Sequence, residues 1–213
     1  YCRQTYANRE LVVVLAGTAR YHAAVARHVR SLDRSDIRLF PVSPSCTLGE
    51  ARNHSIAAAR GELLCTWDDD DLYHPQRLAL QVQHLRETGA FACFLTDHLQ
   101  YFVSSRRLFW INWAFSCSDP GKEQLVPGTM LVRRDGAPSY PRSGPRSQVG
   151  EDNAFLDALY DRHPCVGLQK AGYLYVYRYH GKNTLSEQHH HHITAFGSLT
   201  DETTRERRPL IEQ

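Results

Sequence analysis

Four consecutive aspartates, Asp68 to Asp71, are the densest concentration of chemistry in the chain. Like charges this close repel, and each raises its neighbours' pKa. Such a run is therefore either a solvated turn or a site that uses the charge. The cluster follows the apolar stretch Glu62–Trp67 and precedes Pro75. That places it at the carboxyl end of a strand, where open α/β sheets bind ligands. If strand geometry persists, Asp68 and Asp70 point to one side and Asp69 and Asp71 to the other. Two carboxylates on one side suit a hard divalent ion, completed by water and phosphate oxygens. The twelve histidines include the run His189–His192, which has the composition of a metal tract; four histidines in a polar tail more often do nothing specific. The six cysteines all lie more than four residues apart, which excludes a zinc ribbon or a Cys-x-x-Cys pair. Cys65 and Cys93 sit in apolar runs and read as buried thiols.

The elements that must position these residues alternate. Glu10–Leu15 and Ile37–Val42 read as strands, with a helix over Thr18–Leu32 between them. Thr47 and Glu50 have the spacing of a capping box, opening a helix that runs through Ala59 and stops at Gly61. Glu62–Trp67 is a third strand. Pro75 opens a helix closed by Gly89, and Ala90–Thr96 is a fourth, buried strand. Gln100–Val103, Leu108–Trp113 and Val126–Val132 read as further strands. Trp110 and Trp113 are candidates for a sugar-stacking platform, although aromatic strand residues are more often core. Arg133–Gly150 holds three Pro, four Arg and three Ser and reads as a mobile loop. Glu151–Asp161 is a helix, followed by strands at Val166–Gln169 and Tyr173–Tyr179. The expectation is an α/β fold with a mainly parallel, mixed sheet between helical layers.

Composition sets the outer bounds. The chain has 213 residues, 42% of them hydrophobic and 23% charged, enough for one domain with a real core. Twenty-five basic against 23 acidic residues give a net charge of +2, which makes no case for nucleic acid. No apolar run approaches the ~20 residues that span a bilayer, and no secretory signal opens the chain. A cytoplasmic location with reduced cysteines is expected, and peripheral attachment to the inner face of a membrane stays open. The start at Tyr1 reads as an excised domain or a fragment.

Residues 47–85 resemble the donor-site core of family 2 glycosyltransferases, which have the GT-A fold. The match rests on Ala51-Arg52-Asn53 at a helix start, Gly61, Asp68 to Asp71, and Pro75. The opening QTYANRELVVV resembles the family's second strand, GEDNAFLDALY (150–160) its acidic catalytic helix, and YRYHGKNTLS (177–186) its closing strand and histidine segment. The resemblance implies a GT-A-like three-layer α/β/α domain over residues 1–186, lacking the family's first strand, and a polar, His-rich tail over 187–213. It makes Asp70 the metal ligand, with Asp68 sharing the ion or lying against the ribose, and His180 a further ligand. Asp69 and Asp71 join the donor site less directly, Asp71 at the sugar or as a cap on the next helix. Arg52 meets a diphosphate oxygen or forms an ordinary salt bridge, and Asn53 contributes to the donor site or anchors its loop. Asp152 becomes the base that takes the acceptor's proton, with Glu151 assisting, although the helix macrodipole alone also favours acids in a first turn.

The activity so implied is inverting transfer of a sugar from a nucleotide-diphosphate donor, a UDP-sugar foremost, to a hydroxyl on a glycan, lipid-linked or other acceptor, assisted by Mn²⁺ or Mg²⁺. One departure concerns the nucleobase. Where the family carries an acidic turn after its second strand, this chain has Leu15-Ala16-Gly17-Thr18, without a carboxylate. Two rivals remain: a sugar-1-phosphate nucleotidyltransferase, disfavoured by the lack of a Gly-rich basic N-terminal loop, and a non-catalytic domain of the same fold that binds a glycan or a partner protein.

Overall fold

A computed structural model describes residues 1–113 and 125–198. Among them ten strands and five α-helices follow one another as β1-α1-β2-α2-β3-β4-α3-β5-β6-β7-β8-α4-β9-β10-α5. The mixed α/β character expected from the alternating pattern is present. The chain divides into two compact units, a smaller one of Ala7–Leu64 and Val132–His163 and a larger one of Tyr1–Tyr6, Cys65–Leu131 and Pro164–Gln213. Strands β3 (Leu63–Cys65) and β8 (Leu131–Arg133) contain the points of division.

In the smaller unit β1 (Leu11–Ala16) pairs in parallel with β2 (Ile37–Val42), Leu11 opposite Ile37 and Ala16 opposite Val42. Helix α1 (Ala19–Ser31) connects them and begins where the Thr18 hydroxyl accepts the Tyr21 N–H at 3.3 Å. Helix α2 (Leu48–Ala58) opens with the expected capping box. Thr47 Oγ1 accepts from Glu50 N at 3.2 Å, and Thr47 N donates to Glu50 Oε2 at 2.8 Å. The helix ends at Ala58, with Ala59 as an extended cap, so Gly61 is not its terminator. A Cβ on Gly49 would lie 2.0 Å from the Pro141 carbonyl oxygen, so only glycine lets residue 141 come this close to α2.

The Pro- and Arg-rich segment before α4 (Glu151–Tyr160) is held in place rather than loose. Asn53 Nδ2 donates to Tyr140 O, and Tyr140 N donates to Asn53 Oδ1, both at 2.9 Å. The Tyr140 ring stacks on Phe155 at 4.3 Å, and a 3₁₀ turn at Pro145–Ser147 buries Ser147. A partly buried side-chain amide that satisfies a backbone N–H and C=O does the work of a strand partner.

In the larger unit the order is β4 (Leu72–Tyr73), β10 (Tyr175–Tyr179), β6 (Asp97–Phe102), β7 (Arg107–Asn112). The β4–β10 and β6–β7 pairs are antiparallel, and β10–β6 is parallel. Separately, β5 (Ala92–Leu95) pairs in parallel with β9 (Cys165–Leu168). All four residues of β5 are buried, as a strand covered on both faces requires. Helix α3 (Arg77–Thr88) closes at Gly89 in the left-handed region, φ +67°. No neighbour caps its start; Gln4 does, from 74 residues away. Its Oε1 accepts from Leu78 N at 3.1 Å, and its Nε2 donates to His74 O at 2.7 Å.

Three expectations are corrected here. The strand expected over Val126–Val132 is a 3₁₀ turn at Pro127–Thr129 followed by β8, because the Thr129 hydroxyl accepts Leu95 N at 2.9 Å and turns the chain. Residues 187–197, expected as tail, form α5 (Glu187–Gly197), begun by the Ser186 hydroxyl accepting from His189 N. His190 is 3% exposed and packs its ring on Tyr177 and Tyr179, while His191 stacks on Phe102 at 4.8 Å. The remaining residues of the expected tail, 199–213, lie outside the described residues. Nor is there a tryptophan platform. Trp110 is 1% exposed and donates to Asp97 at 2.7 Å, while Trp113 donates to the adjacent His98 at 3.0 Å. Asp97 and His98 are successive residues of β6 and point to opposite faces, and each holds one indole.

Candidate active site

The expected site residues fall in both units. Those of the larger unit follow β3, where the chain leaves its strand and turns back into β4. Tyr73 fixes the turn: its hydroxyl accepts Asp68 N at 2.7 Å and lies 3.1 Å from Asp68 O, to which it donates. Asp68 is half-buried, Asp69 exposed, Asp70 half-exposed and Asp71 buried. Four identical side chains thus meet four environments.

Asp70 and His180 come together. Asp70 Oδ2 lies 3.0 Å from His180 Nε2, with 43% and 27% of the two side chains exposed. His180 stands just past the end of β10, where its N–H donates to Asn183 Oδ1 at 2.8 Å. Asn183 Nδ2 returns to Arg178 O at 3.0 Å and to the Tyr177 hydroxyl at 3.2 Å. The imidazole is therefore set by a closed turn. One carboxylate and one imidazole, open to solvent, fit a divalent ion that takes its other ligands from water and phosphate. Among the described residues no three such groups converge to hold an ion by themselves, so Asp68 does not complete a cage with Asp70 and His180.

Asp71 is engaged from the protein side. Tyr175 Oη donates to its Oδ2 at 2.5 Å, and Arg178 N donates to its Oδ1 at 2.9 Å. Burial pushes its carboxyl up to about 7, against the pull of those two bonds. It caps no helix. Arg178 also donates from Nη1 to Asp70 O at 3.2 Å, so one residue grips both aspartates. Arg178 and Asn183 were not found from the sequence. Their only signal is their place beside His180; Arg178 acts on residues more than a hundred positions away, whereas Asn183 closes a local turn.

In the smaller unit Arg52 Nε donates to Glu151 Oε1 at 3.0 Å, Glu151 being 4% exposed. The guanidinium also lies 5.7 Å from the Tyr140 ring centroid. Of the two readings of Arg52, this geometry is the salt bridge. Burial raises the Glu151 carboxyl, and Arg52 pulls it back. Asp152, the next residue, is half-exposed and accepts Asn153 N at 2.8 Å through Oδ1, leaving Oδ2 without a hydrogen bond to that amide. Asn53, expected to anchor its loop or contribute to the donor site, makes the two bonds to Tyr140 described above. After β1, the turn without a carboxylate is Gly17-Thr18, and Thr18 is spent as the cap of α1.

Among known proteins, the family model described as glycosyl transferase family 2 matches residues 1–137. No curated protein matches by sequence. Solved structures do match. The chain is similar to S. aureus TarS 1-349 with a TM-score of 0.64 at 16% identity, covering 91% of this chain and 63% of that one. The same protein in complex with UDP gives a TM-score of 0.65 at 16% identity, with the same coverage. Its complex with UDP-GlcNAc gives 0.60 at 15% identity, covering 98% of this chain and 58% of that one. The chain thus spans less than two thirds of these neighbours' length. At such identities the likeness carries the fold, which is GT-A-like.

Proposed function

That the chain belongs to glycosyl transferase family 2 is the premise from which we propose its activity: inverting transfer of a sugar from a nucleotide-diphosphate donor to an acceptor hydroxyl, assisted by Mn²⁺ or Mg²⁺. The observation that carries this reading is the Asp70–His180 pair at 3.0 Å, open to solvent, beside a carboxylate, Asp71, that is already satisfied by protein. When bound, the ion neutralises the diphosphate and stabilises it as a leaving group. Asp70 and His180 would hold it from the protein side, Asp68 would lie against the donor's ribose, and Asp69 would serve the donor less directly. Asp71 supports them from beneath by holding the loop to Tyr175 and Arg178. Asp152 takes the proton of the attacking hydroxyl. Glu151 and Arg52 fix the start of α4 through their ion pair, so that Asp152 alone of the acidic pair keeps solvent access. The UDP and UDP-GlcNAc complexes of the structural neighbour support a uridine nucleotide as donor. The acceptor is a glycan, a lipid-linked sugar or another alcohol. Among the described residues no helix is long and apolar enough to cross a membrane.

The test is a panel of nucleotide sugars with and without Mn²⁺, read by nucleotide release and by calorimetric binding. Metal-dependent binding with release of nucleoside diphosphate is the expected result. Pyrophosphate-dependent formation of a nucleoside triphosphate would move the assignment to a nucleotidyltransferase. Binding of glycans without any nucleotide sugar would make the domain a non-catalytic receptor.

A further inference from the structure

We infer that Arg77, on which no step above draws, is the positioning residue of the acidic loop. Its side chain is wholly buried at 0% exposure. A guanidinium cannot shed its charge in a protein, so burial has to be answered by hydrogen bonds and polarisable neighbours. Arg77 Nη1 donates to Thr66 O at 3.1 Å, Nε to Gln81 Oε1 at 3.1 Å, and Nη2 reaches Gly128 O at 3.5 Å. Three aromatic faces enclose it, with ring centroids at 4.6 Å for Tyr73, 5.2 Å for Trp67 and 5.8 Å for Tyr175. Those rings also stack on each other, Trp67 on Tyr73 at 4.0 Å and Tyr73 on Tyr175 at 5.5 Å.

The enclosing groups are the ones that fix the aspartates. Thr66 and Trp67 lead directly into Asp68. The Tyr73 hydroxyl holds the Asp68 backbone, and the Tyr175 hydroxyl holds the Asp71 carboxylate. Gly128 belongs to the turn on the other side, where an added Cβ would lie 3.1 Å from the Tyr175 hydroxyl and 3.8 Å from Asp68 Oδ2. A single planar cation thus ties the start of the loop, both tyrosines and the facing turn. Gln81 extends the tie, donating from Nε2 to Thr129 O at 2.8 Å. Lysine has neither the fork to reach two carbonyls nor the plane to stack between rings.

The inference rests on the reading that Asp68 to Asp71 hold the donor. It is tested on the whole chain by calorimetric titration with UDP-GlcNAc and Mn²⁺, which separates affinity from the fraction of competent molecules. Arg77→Lys and Arg77→Met are expected to weaken donor binding at least tenfold with stoichiometry unchanged. Tyr73→Phe, which removes only the hydroxyl that holds Asp68, should give part of that loss and serves if the Arg77 variants do not fold. Leu85→Ala, in the same helix and 1% exposed, supplies a destabilised control that should keep the wild-type affinity. If the Arg77 variants and Tyr73→Phe lose only thermal stability or stoichiometry and keep the wild-type dissociation constant, Arg77 is a core residue and the inference falls. Asp70→Ala separates the two levels. If it abolishes binding while Arg77→Lys does not weaken it, only the role of Arg77 fails. If the unsubstituted chain binds no nucleotide sugar, the reading of the loop fails and this inference with it.

Discussion

The acidic loop of the larger unit and the acidic start of α4 in the smaller unit each pair a buried carboxylate with an open neighbour in sequence. In the loop the open residue is Asp70 and the buried one Asp71; in α4 they are Asp152 and Glu151. The buried members are held by opposite means. Asp71 has two donors from Tyr175 and the Arg178 backbone, and its carboxyl rises to about 7. Glu151 has a cation, Arg52, at 3.0 Å, which works against the same rise. Burial raises both carboxyls; at Asp71 two neutral donors oppose the rise, and at Glu151 the Arg52 cation does. In both places the buried acid is bound to protein groups while its neighbour stays open to solvent.

The sharpest way to break that comparison is to neutralise the open members. Asp152→Asn should lower the transfer rate by roughly 10²–10⁴-fold, the range of a lost general base, with donor affinity unchanged by calorimetry. If donor affinity collapses as well, Asp152 is not the base. Asp70→Ala should do the reverse and weaken Mn²⁺-dependent donor binding by about 100-fold. Equal binding with and without metal in that variant, at wild-type affinity, would remove Asp70 from the site.

Next come the buried members. Arg52→Met leaves Glu151 unpaired inside the protein and should cost about 2–4 kcal/mol in urea unfolding. Glu151→Gln should cost less, about 1 kcal/mol, because a neutral amide tolerates burial. Tyr175→Phe removes one of the two donors to Asp71 and should also cost about 1 kcal/mol. Were Arg52→Met no worse than Tyr175→Phe, the distinction between charge-paired and dipole-held acids would be lost.

The smallest expected effect is on pH. Burial drives His98 and His190 down to about 4, from an unfolded value near ~6.5. The folded state binds fewer protons than the unfolded one in that window, so their contribution is complete above ~6.5 and is lost as pH falls toward 4. His98 faces Trp113, Gln100, Tyr175 and His190; His190 faces Tyr177, Tyr179 and the flanking His189 and His191. Asp71 works the other way, since its raised pKa favours the folded state below ~4 and loses that advantage toward 7. The midpoint of thermal unfolding should therefore fall on acidification from 6.5 to 4.5 by a few degrees, at about 2–4 °C per kcal/mol. His190→Phe should shrink that fall, and an unchanged acid limb would show that His190 is not kept neutral.

What could be read in advance was local. Thr47 and Glu50 announced α2 because the capping box closes within four residues, and Gly89 announced the end of α3 because a left-handed turn favours glycine. The acidic run stood out because four like charges in a row have few uses. Even α5 had a local signal, Ser186 with Glu187 in its first turn, hidden by the polar histidines that follow. The cap of α3 by Gln4, the pinning of the 133–150 segment by Asn53, and the grip of Arg178 on Asp70 and Asp71 had none. Each joins residues at least 70 positions apart.

The sequence by itself marked the acidic run Asp68 to Asp71, the acidic pair Glu151-Asp152 and the α/β rhythm around them, because residue type, period and capping act over a few positions. Only the tertiary structure decided what each of four identical aspartates does. Asp69 stays in water, Asp70 meets an imidazole, Asp68 is held by its backbone and Asp71 is buried under a tyrosine. Burial and hydrogen-bond partners set a carboxylate's charge and reach, and long-range packing, with Arg77 and Tyr175 at its centre, supplies both.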